Sequence, residues 1–109
     1  MIVHFAAFIF KKEFKDEEPQ KKARNEITEA LSKIRLDAYG QLGPIKTSKP
    51  LNLEKAKGYD FALIVRFKDS EALDIYAKHP EHKKAKDVIA RYADLDDTLD
   101  YDLTIDGEW

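Results

Sequence analysis

From Ile2 to Phe10 the chain is apolar at nearly every position, on both sets of residues that alternate along a strand. Ile2, His4, Ala6, Phe8 and Phe10 make one face, and Val3, Phe5, Ala7 and Ile9 make the other. That pattern predicts a strand covered on both sides. Over residues 16–36 the period changes to that of a helix. Asp16, Glu17 and Glu18 suit its positive end, Pro19 is tolerated in its first turn, and Ala23, Ile27, Ala30, Leu31 and Ile34 form its apolar stripe. Residues 37–57 hold Gly40, Gly43, Pro44 and Pro50, with Gly58 just beyond, so they fit a loop with at most one short edge strand. Alternation returns in GYDFALIVRF, residues 58–67: Tyr59, Phe61, Leu63, Val65 and Phe67 against Asp60, Ala62, Ile64 and Arg66. Asp69 or Ser70 then caps a short helix carrying Leu73 and Tyr76. Pro80 cannot continue that helix but can open another, running to about Tyr92 with Ala85, Val88, Ile89 and Tyr92 as its buried stripe. Finally TLDYDLTID alternates Leu99, Tyr101, Leu103 and Ile105 against Asp100, Asp102 and Thr104, a strand with one dry and one wetter face.

The order of elements is β-α-β-β-α-β, an α+β class with the ferredoxin-like plan, expected to form one domain over residues 1–109. In that plan the first and third strands are central, and these are the two strands apolar on both faces. The helices can cover only one side of the sheet. About four or five apolar side chains would remain on the other, each worth ~1.5–3 kcal/mol when buried. A soluble monomer rarely shows so much apolar surface, so the expectation is a homodimer, an α/β barrel with two sheets packed face to face.

Composition narrows the function classes. Of 109 residues, 43% are hydrophobic and 37% charged, with 19 basic against 21 acidic residues and a net charge of -2. No basic stripe is present for a nucleic-acid backbone, so nucleic acid is not an expected partner. The absence of cysteine excludes disulfides, thiolate catalysis and Cys-based metal sites, and it fits a reducing, cytoplasmic setting. No segment approaches the ~20 apolar residues of a membrane span. IVHFAAFIF lacks a basic leader and a small-residue cleavage site, so it reads as a strand rather than a signal peptide. Trp109 ends a short tail.

Candidate chemistry gathers in IYAKHPEH, residues 75–82, which contains two of the three histidines. His82 falls in the first turn of the last helix, on the side of Ala85 and Ile89, and so points inward, either as a packed histidine or as a base available at neutral pH. Tyr76 is either an amphipathic core residue or a hydrogen-bond donor to a carbonyl oxygen. His79, beside Pro80, suits a capping role. Pro80 separates it from His82 and no carboxylate is placed to complete a ligand set, so no metal is expected, and no other cofactor either. A histidine at position 4 of a central strand must be hydrogen-bonded, in plain core or in a pocket wall. Asp100 belongs either to a solvated strand face or to a site.

IVHFAAFIF, GYDFALIVRFKDSEALDIYAKHPEHKKAKDVIARY and LDYDL together resemble the stress-responsive α/β-barrel (Dabb) family, over residues 2–10 and 58–103, and most specifically in Tyr-x-x-His-Pro-x-His. Residues 37–57 depart from the family pattern. The resemblance implies a dimeric ferredoxin-like barrel. Its olivetolic acid cyclase-type polyketide cyclases match this chain at Tyr76, His82, His4 and Asp100. What that implies is a cofactor-free intramolecular aldol condensation: His82 as general base, Tyr76 as donor to the developing enolate or alkoxide, and Asp100 orienting the imidazole. A pocket between sheet and helices, walled by Phe5 or Phe8, Phe61, Leu63, Leu73 and Ile89, would take an aromatic or polyketide-like ligand. The alternatives are a non-catalytic stress-responsive dimer or ligand carrier, and a cofactor-free monooxygenase or isomerase on a related barrel.

Overall fold

The apolar start of the chain becomes strand β1, Ile2–Phe8, and the clear alternation in the second half becomes β3, Phe61–Phe67. In the computed structural model, which describes residues 1–107, they are the inner strands of a four-stranded antiparallel sheet. Its edges are β2, Lys46–Ser48, and β4, Leu99–Thr104, giving the order β2-β3-β1-β4. Three helices pack on one side: α1, Glu17–Ser32, α2, Ser70–Lys78, and α3, Pro80–Tyr92. This is the ferredoxin-like plan, with the second helical unit broken in two at His79. The tail residues Glu108 and Trp109 lie outside the described residues.

Several boundaries differ from the sequence pattern; β1 ends at Phe8 rather than Phe10, and two others have a clear local reason. The first helix stops at Ser32 rather than continuing to residue 36, although Ile34 and Leu36 stay buried. The buried side chain of Gln41 replaces the helical ladder there. Its amide nitrogen donates to the carbonyls of Ile34 and Gly43, both at 2.9 Å, and its carbonyl accepts from the Leu36 N–H at 2.9 Å. Satisfying those backbone groups lets the chain turn inside the core. The third strand begins at Phe61 rather than residue 58. Asp60 instead uses its carboxylate to accept from the Phe10 N–H at 2.9 Å and to pair with Lys15 at 2.5 Å.

Alternation decides which side each residue faces. Ala6, Phe8, Leu63, Val65 and Phe67 join Ala23, Ile27 and Leu31 of α1, Tyr76 of α2 and Ile89 of α3 in one core. The Thr28 and Thr47 hydroxyls, 2.9 Å apart, tie α1 to the β2 edge. The Tyr92 hydroxyl donates to Glu26 and ties α3 to α1. On the other side of the sheet, Phe5 lies between Ile64 and Tyr101, and Val3 between Arg66 and Leu103. Among the described residues no helix covers that side, and Leu99, Tyr101 and Leu103 are 39%, 56% and 41% exposed. The apolar set of β4 therefore faces away from the helices, and Asp100 and Asp102 face toward them. Among the described residues no helix is long and apolar enough to cross a membrane.

Candidate functional site

The site is organised by the break between α2 and α3. Asp69 starts α2 by accepting the Ala72 N–H at 2.9 Å. A residue preceding proline avoids the helical region, and His79 is extended, at φ -72°, ψ 140°. Helix α2 therefore ends at Lys78, and Pro80 starts α3 with its fixed φ. His79 caps the new helix, its Nδ1 accepting the Glu81 N–H at 3.1 Å. A ring nitrogen that accepts there is occupied, so His79 serves the junction. His82, in the first turn of α3, reaches back to the Ala77 carbonyl at the end of α2, with Nδ1 3.0 Å from the oxygen. A carbonyl only accepts, so Nδ1 carries the proton and Nε2 holds the lone pair. The same contact satisfies a carbonyl that the helix end leaves without a partner.

This junction sets Tyr76 beside His82, with ring centroids 4.4 Å apart and the planes tilted by 47°. His4, from the centre of β1, lies 5.8 Å from Tyr76 on another side. The three rings border one cavity of about 530 Å³ between the sheet and α2–α3. That is within the usual size for a small-molecule site. Phe8, Leu63, Leu73 and Ile89 supply its apolar wall, and Asp100 opens onto it as well. Phe5 and Phe61 do not line it; both border a separate crevice beside Tyr59 and Pro50. Phe5 is one residue out of phase with His4 and so faces the open side of the sheet. Phe61 sits at the start of β3, where its ring packs 6.2 Å from that of Phe10.

The carboxylate expected to orient His82 is elsewhere. Asp100 makes no hydrogen bond to His82; the Ala77 carbonyl holds that ring. Asp102 instead accepts from His4, Oδ1 to Nδ1 at 2.5 Å. The cause is register, because His4 and Asp102 are direct antiparallel partners while Asp100 is opposite Ala6. The Asp102 carboxylate accepts the His4 Nδ1–H and so orients that ring, as second-layer carboxylates do for imidazoles in general. Sequence reasoning passed over Asp102 even though it shares a face with Asp100; only the pairing register distinguishes the two. Lys86 also borders the cavity, one turn beyond His82, and so does Thr98, whose buried hydroxyl oxygen has no partner among the described residues. No group of three His, Asp or Glu side chains among the described residues is arranged to hold a metal ion.

The environment tunes the two central groups in complementary senses. Burial pushes the Tyr76 phenol well above its usual range, and the carboxylates of Asp100 and Asp102 push it further. Tyr76 thus stays protonated and keeps an O–H to donate to a ligand. Its hydroxyl has no hydrogen-bond partner among the described residues. Burial pushes the His82 imidazole below its usual value; the charges of Lys86 and His4 act in the same sense, against the Ala77 carbonyl and Asp100. His82 is therefore neutral at pH 7, with a free lone pair. A protonated phenol beside a neutral imidazole is a donor–base pair.

Residues 2–104 match the profile of the stress responsive A/B barrel domain, Dabb. No functionally curated protein matches the chain. Among solved structures, a dimeric protein of unknown function with a ferredoxin-like fold from Bacteroides fragilis superposes with a TM-score of 0.77 at 19% identity, covering 95% of each chain. A Dabb family protein with a ferredoxin-like fold from Mesorhizobium loti gives 0.71 at 21% identity over 97% of each chain. The hydroxynitrile lyase of Passiflora edulis gives 0.73 at 12% identity, over 99% of this chain and 95% of that one. At these identities the likeness shows the fold alone.

Proposed function

The chain belongs to the stress-responsive A/B barrel (Dabb) family, and from that premise we propose that it is a small dimeric barrel protein whose pocket binds an aromatic or polyketide-like ligand and catalyses a cofactor-free, aldol-type ring closure. The observation that carries this reading is the Tyr76–His82 pair: a phenol without a hydrogen-bond partner among the described residues and a neutral imidazole, 4.4 Å apart on one cavity. A carbon between two carbonyls is acidic enough for a neutral imidazole to deprotonate. His82 Nε2 takes that proton, and the electron pair moves onto the neighbouring carbonyl oxygen as an enolate. The enolate carbon then attacks a second carbonyl of the same chain, forming a C–C bond and an alkoxide. Tyr76 donates a hydrogen bond to the oxygen on which charge grows, a contact that strengthens in the transition state. His4, held by Asp102, and Asp100 form the polar wall opposite the apolar one.

Dimerisation belongs to the same proposal. The uncovered side of the sheet carries Phe5, Ile64, Leu99, Tyr101 and Leu103, and a second copy would bury them sheet to sheet. Solved relatives with this fold are described as dimeric. The lack of cysteine is compatible with a reducing compartment, and a cytoplasmic setting is part of the proposal.

The test is turnover of a panel of poly-β-keto acids and thioesters by wild type, His82→Ala and Tyr76→Phe. Loss of the base is expected to lower kcat/KM by about a hundred- to ten-thousand-fold. Loss of the phenol is expected to lower it by about a hundred-fold or more. Turnover that survives in both variants refutes the mechanism. Tight binding without turnover in wild type identifies a ligand carrier instead.

A further inference from the structure

We propose that the ligand of this pocket carries an anionic group at one end, and that Lys86 is the residue that holds it. The inference rests on the site reading above and names its substrate class: an apolar or ring-forming keto chain ending in a carboxylate, or attached to a carrier through a phosphate.

Lys86 is four residues beyond His82 on α3, so the two side chains lie one above the other on one side of the helix. Both border the cavity, and among the described residues Lys86 is the one lysine or arginine that does so. Two nearby lysines are engaged, Lys78 with Asp74 at 3.0 Å and Lys84 with Glu81 at 3.2 Å. Lys86 has no carboxylate within salt-bridge distance among the described residues. Of the cavity's three acids, Asp74 is paired with Lys78 and Asp102 with His4, and Asp100 lies beyond salt-bridge distance of Lys86. An ammonium group at the mouth of a largely apolar pocket attracts a ligand with an apolar body and an anionic end.

The placement also couples binding to chemistry. The groups that act on His82 are Lys86 on its own helix, the Ala77 carbonyl of α2, His4 of β1 and Asp100 of β4. The positive charge of Lys86 opposes protonation of His82. An anion seated on Lys86 cancels that opposition, so the base gains proton affinity when a matching ligand is bound.

The test measures binding rather than turnover, so it stands even if the proposed ring closure fails. The probes are β-ketooctanoate, its methyl ester and its coenzyme A thioester, titrated calorimetrically into the full-length protein. The variants are Lys86→Ala and Lys86→Arg; Lys86 is exposed, so both are expected to fold. Wild type is expected to bind the acid about ten-fold more tightly than the ester, the alanine variant to lose that preference, and the arginine variant to keep it. Lys86 dependence confined to the thioester makes the anion a phosphate and leaves Lys86 as its anchor. NMR titration of His82 adds a readout that a packing role would not move. Its pKa should rise in Lys86→Ala, and should rise on acid binding in wild type but not in that variant. An alanine variant that binds acid and thioester like wild type, or a His82 pKa indifferent to Lys86, overturns the proposal.

Discussion

His82 and Tyr76 are six positions apart in sequence, and the extended residue His79 between them lets both rings face one space. Each residue type was conspicuous in the sequence, but its partners were not. His82 was expected to lean on Asp100; it leans on a carbonyl, and the carboxylate contact belongs to His4 and Asp102. That exchange depends on strand pairing, which residue spacing within one segment does not encode. The lowered His82 pKa has a consequence for stability. Below the ordinary imidazole value of 6.5 the unfolded chain binds a proton that the folded chain resists. Stability should therefore rise with pH in that window, and the His82 contribution, present above 6.5, should be lost as pH falls toward the folded value. Thermal unfolding of wild type and His82→Gln between about pH 7 and about pH 5 checks this. The melting temperature of the variant should fall less on acidification.

At the scale of elements, caps and breakers were the readable signals. Asp69 caps α2 and Pro80 opens α3, because a carboxylate that accepts an end N–H and a ring that fixes φ act on their immediate neighbours alone. Apolar spacing carries the predicted helix through Ile34 and four residues past its observed end at Ser32, and both Ile34 and Leu36 are buried. Their burial comes from a turn held by Gln41, a long-range use of one amide. Gly40 is equally a matter of tertiary placement. It sits at φ +103°, and a Cβ there would approach the Ala72 Cβ of α2 to 2.7 Å. Gly40→Ala should therefore combine backbone strain with a clash and cost about 1–3 kcal/mol in urea unfolding. Because the clash bears on the helix that carries Tyr76, ligand affinity should drop with it. A variant as stable as wild type would show that α2 shifts freely.

At the scale of the molecule, the exposed strand face sets the assembly. Phe5, Ile64, Tyr101 and Leu103 are adjacent across three strands, which makes a continuous apolar surface rather than scattered side chains. Wild type is expected to elute as a dimer by light scattering, with a melting temperature that rises with protein concentration. Tyr101→Asp should shift it to monomer and remove that concentration dependence, because an unpaired charge in the centre of a sheet-to-sheet contact is costly to desolvate. A wild-type monomer at micromolar concentration would contradict the assembly.

Strand and helix periodicity, the glycine and proline breaks and the element order were enough to reach the ferredoxin-like plan, its two central strands and its edge strand. All of these rest on local alternation and turn chemistry, which act over a few residues. Periodicity also showed that β4 has one apolar and one acidic set, but not which set meets the helices. The tertiary structure decided that Asp100 and Asp102 face the pocket, that Asp102 rather than Asp100 meets an imidazole, and that Phe5 turns away from the ligand wall. Each of these follows from antiparallel register, where a shift of one residue reverses every side chain, and register is settled by contacts between segments nearly a hundred residues apart.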